Sequence, residues 1–187
     1  MKSIIEYFNK LGFEEKDLSN FLSYIKVRKY KVGDLILKPE QTENYLSFID
    51  QGIIRYYVFG NNKEITFDLA FKNSFYTAYD SFYNRNKTQS YIEALTDCTL
   101  FSISYENLQI LYNECKTAKQ LGEVALEYLL NKKVKRELSL LTQTPQQRYE
   151  SLLNEHPKYI QQVPLKHLAS YLGVVPETLS RIRNRIN

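Results

Sequence analysis

At 187 residues and 43% apolar content, the chain can build one medium domain, or one of about 110–140 residues with a small appendage, and its 16 Tyr and 10 Phe favour β-rich packing. Two cysteines, Cys98 and Cys115, exclude a disulfide scaffold, and no apolar run approaches the roughly 20 residues of a membrane helix. The net charge of +4 is unevenly divided: residues 1–115 carry 13 basic and 15 acidic side chains, whereas residues 116–187 carry 12 and 6, so the back of the chain suits a polyanion.

The N-terminus, Met1 to Phe8, mixes Lys2 and Glu6 into an amphipathic pattern unlike a signal peptide, and with so few cysteines a cytoplasmic protein is expected. The first 30 residues have helical spacing. Ile4, Ile5, Phe8 and Leu11, then Leu18, Phe21, Leu22 and Ile25, recur on one side, with a break at Gly12. From about residue 33 the period becomes two. Strands are predicted at 35–37, 45–49, 53–59, 65–71, 89–95 and 99–103, separated by turn signals such as Gly33-Asp34, Asp50-Gln51-Gly52, Gly60-Asn61-Asn62 and Thr96-Asp97. Short strands at this spacing imply a β-sandwich or a jelly-roll β-barrel. After Ser104 helical spacing returns, over 105–113 and 117–141. Leu121, Val124, Ala125, Tyr128, Leu129, Val134, Leu138 and Leu141 lie along one side of a long helix of roughly 37 Å. That is more than one small barrel needs, so part of the helix is expected to pair with a second copy of the chain. The hinge is expected at 142–147, around Pro145.

The last 25 residues carry the functional signal. Leu165, Leu168, Ala169 and Leu172 form one apolar stripe, and Gly173 follows where a tight turn needs positive φ. Pro176 sits where a second helix begins, and Leu179, Ile182 and Ile186 form its stripe. This is the pattern of a helix-turn-helix. The outward residues Glu177, Thr178, Ser180, Arg181, Asn184 and Arg185 are of the types that meet base edges and phosphates. Arginine can donate twice to guanine, glutamate can accept from cytosine, and hydroxyls serve either. Arg183 and Lys166 are the expected phosphate contacts, and His167 is expected at a phosphate or as a partner to Lys166. An ordinary amphipathic terminal helix also has a polar outer face, so spacing alone does not decide between the two.

Leu168-Ala-Ser-Tyr-Leu-Gly173 followed by Glu177-Thr-Leu-Ser-Arg181 resembles the helix-turn-helix of the cyclic-AMP receptor / fumarate-nitrate-reductase (Crp–Fnr) regulators. Asp50-Gln-Gly-Ile-Ile-Arg55 and the run 92–100 resemble that family's front half less closely. The resemblance implies an α+β fold with a cyclic-nucleotide-binding-like barrel over 1–115, a dimerisation helix over 116–142 and a DNA-binding domain over 143–187. It also implies a homodimer on double-stranded DNA, with RNA polymerase a further possible partner, and makes Glu177, Ser180 and Arg181 the base readers of a TTGA-like half-site. Pro176 replaces a frequent arginine, Val175 replaces a serine cap, and no wing follows Asn187, so fewer phosphate contacts are expected.

Members that bind cyclic nucleotides use a Gly-Glu pair and an Arg-Ser/Thr-Ala run. Here Tyr76 and Thr77 stand at the first place and Thr88, Gln89 and Ser90 at the second, with Arg85 nearby but out of register. Tyr76, Thr77, Arg85, Thr88 and Ser90 are therefore the candidate lining of an effector pocket, and a cyclic-AMP ligand is not expected. Phe75, Tyr76, Tyr79, Phe82 and Tyr83 form an aromatic cluster suited to core or lid packing, less so to an apolar pocket. His156 and His167 both lie in the back of the chain, so no metal site is expected in the barrel, and two cysteines cannot hold an iron–sulfur cluster. No nucleophile–base pair or phosphate loop appears, so neither an enzyme nor a cofactor is expected. A ligand-binding barrel whose end helices serve protein contacts, or a polymerase-docking module, is the competing reading.

Overall fold

The computed structural model describes residues 1–114 and 116–186, with the side chains of Asp17 and Lys116 excepted. Two amphipathic helices, α1 (Lys2–Asn9) and α2 (Glu15–Ser23), precede the strands β1 (Lys26–Tyr30), β2 (Leu35–Leu37), β3 (Tyr45–Gln51), β4 (Ile53–Gly60), β5 (Lys63–Phe71) and β6 (Phe75–Tyr76). A short α3 (Tyr79–Asn84) leads to β7 (Tyr91–Ala94) and β8 (Cys98–Ser104), followed by α4 (Tyr105–Glu114) and the long α5 (Lys116–Thr142). The C-terminal helices are α6 (Pro145–Glu155), α7 (Pro157–Ile160), α8 (Leu165–Leu172) and α9 (Pro176–Ile186).

The strands form two antiparallel four-stranded sheets, ordered β1-β8-β3-β6 and β2-β7-β4-β5. Each is open at both edges, so the expected barrel is instead a sandwich of two sheets. Its interior holds Ile49, Ile54, Tyr76, Ile92, Ala94 and Leu100. The outer face of the first sheet is also buried. Phe48, Phe75 and Phe101 pack there against Ile4 and Phe8 of α1 and against Leu121 and Ala125 of α5. Both faces of β3 are thus covered, which turns alternation into a nearly continuous apolar run. The helical expectation for the first 30 residues fails at 26–30, which pair with β8 from Lys26↔Ser102 to Tyr30↔Cys98. Lys26-Val-Arg-Lys-Tyr has an alternating pattern with a single strong apolar residue, and only the sheet edge beside it makes a strand of it.

The 27-residue α5 changes role along its length. Leu121 and Ala125 are buried in the chain's own core, and Val124, Tyr128 and Leu129 pack against it. Beyond them Leu130, Val134, Leu138 and Leu141 are exposed, Leu141 by 76%. One apolar side read from the sequence therefore divides into an inward half and an open half. At the expected hinge, Thr144 caps α6 with a capping box: its hydroxyl accepts from the Gln147 amide and Gln147 Oε1 accepts from the Thr144 amide at 2.9 Å, with Pro145 in the first turn.

Candidate nucleic-acid interface

α8 ends at Gly173 with φ 73, and the amides of Gly173 and Val174 bond back to Ser170 and Ala169. This left-handed cap reverses the chain within three residues, and Pro176 then begins α9. Leu168, Ala169, Leu172 and Leu179 are fully buried between the two helices, and the small Ala169 lets them approach. The start of α9 has no side-chain cap of the Ser type. Its first bonds run from the Thr178 and Leu179 amides to the Val175 carbonyl, and Glu177 supplies the favourable negative charge of the first turn.

The outer face of α9 carries Glu177, Arg181, Asn184 and Arg185 exposed, with Thr178 and Ser180 half-buried beside them. Arg183 is less free. Its guanidinium lies 5.7 Å from the Tyr149 ring centre, and its Nε is buried with no partner among the described residues. Lys166 on α8 is exposed.

His167, expected at a phosphate, is the clear correction. It is buried, and its Nε2 lies 3.5 Å from Nη1 of Arg55 on β4. Burial, then the charges of Arg55 and Lys166, pulls its pKa to about 4, so the ring is neutral at pH 7. Arg55 is itself fully buried. It donates to Thr66 Oγ1 at 2.9 Å, Glu93 at 3.0 Å and Glu64 at 2.8 Å, and its guanidinium sits 4.0 Å over Tyr57. Burial works to raise the Glu64 carboxyl, but the hydrogen bond and charge of Arg55 outweigh it and hold the group below its usual range.

Around this cluster the C-terminal helices dock on the second sheet. β5 is that sheet's edge, and the Thr66 amide, free of the ladder, donates to Ser170 Oγ at 2.9 Å. Ile53, Leu69, Phe71 and Leu95 share one apolar cluster with Tyr149, Leu152 and Leu168. The last carbonyls of α8 are also claimed: Arg136 of α5 donates to Tyr171 O, and Arg148 of α6 to Leu172 O at 2.7 Å. The sequence placed Leu168 and Leu172 in the apolar stripe of α8 but gave Thr66, Ser170, Arg136 and Arg148 no docking role. Arg55 and Glu93 stood in the sequence only as members of the runs 50–55 and 92–100 that resemble the family's front half, and the pairing of β4 with β7 brings them face to face.

A cavity of about 710 Å³ lies between the sandwich and α5. Thr77, Thr88 and Ser90 line it, together with Tyr56, Lys133 and Arg136. Two expected residues do not. Tyr76 is fully buried between the sheets, drawn there by the apolar ring it adds to the core. Arg85, left-handed at φ 58, turns away to Glu43 O, Phe82 O and Asn44 Oδ1 and lies 4.3 Å over the Tyr105 ring. Phe75 and Phe82 of the aromatic cluster are core residues, whereas Tyr79 is exposed and lines the cavity. Cys98 is buried, its thiol bonded to the Thr96 carbonyl, and burial raises its pKa. Cys115 lies outside the described residues. Among the described residues no three His, Cys, Asp or Glu side chains converge on a metal-sized site, and no helix is long and apolar enough to cross a membrane.

Residues 27–115 match the family of the cyclic nucleotide-binding domain. A comparison with curated proteins returns no match. Among solved structures, FixK2 from Bradyrhizobium japonicum is 14% identical, with 87% of this chain and 84% of that one covered at a TM-score of 0.73. A CooA mutant from Carboxydothermus hydrogenoformans is 20% identical, with 94% and 81% covered and a TM-score of 0.65. The c-di-GMP-responsive global regulator CLP of Xanthomonas campestris is 17% identical, with 92% and 91% covered and a TM-score of 0.66. At these identities the likeness to each is one of fold. With the domain match, it agrees with the fold that the resemblance to the Crp–Fnr regulators implies.

Proposed function

We propose that this chain, which joins a cyclic nucleotide-binding domain to the whole-chain fold of the Crp–Fnr regulators, is a homodimeric, sequence-specific DNA-binding transcriptional regulator. The observation that carries the reading is the exposed row Glu177, Arg181, Asn184 and Arg185 on α9, directly after the Gly173 turn. A helix so presented can enter a major groove, where Arg181 reads guanine, Glu177 and Ser180 read neighbouring bases, and Lys166, Thr178 and Arg185 meet phosphates. His167 has no part in this while α8 is docked.

Two copies are needed to reach successive grooves about one helical turn apart, and the open half of α5 supports pairing through Leu130, Val134, Leu138 and Leu141. Residues 1–115 then form the sensing part, 116–142 the dimer helix and 143–187 the reader. The larger cavity, with Thr77, Thr88 and Ser90, is the effector site. Thr88, Gln89 and Ser90 stand where cyclic-nucleotide binders carry an Arg-Ser/Thr-Ala run, so cyclic AMP is not its ligand. The chain acts without enzymatic turnover, in the cytoplasm. Selection of preferred duplexes from a random pool with purified protein tests the reading. Recovery of a two-fold-related site supports it, and recovery of no preferred sequence overturns it in favour of a protein-docking role.

A further inference from the structure

A second cavity, of about 560 Å³, lies where the second sheet, α5 and the C-terminal helices meet. Its floor is apolar: Phe71, with the His156 ring stacked on it at 4.1 Å, and Leu69, Tyr128 and Leu152. Burial lowers the His156 pKa, so this ring is a neutral stacking surface at pH 7. Its wall is basic. Lys132 is already paired with Asp68 at 2.7 Å, but Arg136 and Arg148 have no carboxylate partner among the described residues. Their hydrogen bonds run to backbone carbonyls, Arg136 to Tyr171 and Arg148 to Leu172, Gln143 and Ser139. Carbonyl dipoles satisfy donors without cancelling charge. Burial and the charge of Arg136 accordingly pull the Arg148 guanidinium below its usual value. Arg136 Nε is buried with no partner among the described residues, and Lys135 stands exposed on the same wall. The acidic residue of the lining, Glu155, is exposed.

We propose that this cavity binds a small organic carboxylate, its acid group received between Arg136, Arg148 and Lys135 and its apolar body laid on Phe71 and His156. The volume suits a drug-sized molecule, and an apolar floor with a few convergent polar groups is the usual make-up of such sites. The site adjoins the larger cavity, and Lys132 and Arg136 line both, but the two differ in one lysine each. Lys135 lines only this one, and Lys133, two residues along the same helix, lines only the other.

That pair of lysines supplies the test. 1-Naphthoate is titrated into the full-length protein by calorimetry and by thermal melting, with 1-naphthylmethanol as the uncharged control. The carboxylate binds and raises the melting temperature, and the alcohol binds about tenfold more weakly or not at all. Lys135→Glu weakens naphthoate about threefold or more while leaving the melting of the free protein unchanged, and Lys133→Glu leaves the affinity unchanged. No binding at millimolar naphthoate, equal binding of the alcohol, or a loss with Lys133→Glu as large as with Lys135→Glu overturns the site. None of these readouts involves DNA, so their failure leaves the DNA-binding reading standing.

Discussion

Arg181, unlike the half-buried Arg183, is exposed on α9 with no hydrogen-bond or ion-pair partner among the described residues, which leaves its guanidinium open to a bidentate contact with guanine. Arg181→Ala is expected to cost about 1–3 kcal/mol on the selected site and to flatten discrimination at one base pair per half-site. Lys166→Ala is expected to weaken all sequences alike and to lower the salt slope by about one. Titrations on matched and single-base-changed duplexes at two salt concentrations separate the two, and a uniform loss with Arg181→Ala would remove its reading role. His167 makes a different prediction. Its folded-state pKa is lowered to about 4 against an ordinary value near 6.5, so the unfolded chain takes up the proton first as pH falls. Its contribution is fully present above about pH 6.5, declines between 6.5 and 4, and amounts in all to about 3 kcal/mol. Denaturant midpoints at pH 7.5 and 5.0 will fall further for the wild type than for His167→Asn, and parallel loss in both would refute the assignment. The sequence made the α9 residues legible because their neighbours form one clean apolar stripe. It misplaced His167 because its burial partner, Arg55, is 112 positions away on a strand that no local pattern connects to α8.

The long helix shows what periodicity can and cannot say. Its apolar side was legible throughout, yet the sequence treats Leu121 and Leu138 alike, whereas the fold buries the first and exposes the second. Leu138→Glu with Leu141→Glu is therefore expected to yield a folded monomer in sedimentation, with an unchanged far-ultraviolet spectrum. Leu121→Glu puts a charge into the core beneath the first sheet and is expected to unfold the protein instead. A dimer that survives the double substitution would show that α5 does not join the copies. The strands were legible where turn residues bound them, at Gly52 or Gly60-Asn61-Asn62. β1 and β6 were not, because each exists through pairing with a distant strand, β8 and β3. The larger cavity was half legible: Thr77, Thr88 and Ser90 line it, but its basic wall comes from α5, far along the chain. Cyclic AMP at a concentration far above any physiological level is expected to leave the melting temperature unchanged, whereas a specific ligand at about a hundredfold its Kd adds about 2.7 kcal/mol. A rise with cyclic AMP that plain AMP does not produce would reverse this.

Docking of the C-terminal helices decides how the molecule behaves as a whole, since it fixes the direction in which α9 points from the sandwich. Three kinds of contact hold it: the apolar cluster around Phe71 and Leu168, the buried Arg55 network reaching His167, and the edge bond from Thr66 to Ser170. The last can be read directly. Thr66 lies on an open sheet edge, so without α8 its amide faces water and exchanges freely, whereas docked it is bonded and covered. Its protection therefore measures the free energy of undocking, separately from unfolding of the sandwich. Ser170→Ala leaves the amide beneath α8 with no acceptor, at a cost of about 1–3 kcal/mol. About a tenfold or greater rise in Thr66 exchange is expected, while the amides that pair β3 with β8 keep their rates. An unprotected Thr66 amide in the wild type would mean that the helices swing free of the sheet in solution. Rates that rise together in β3 and β8 would mean that docking and the sandwich unfold as one unit.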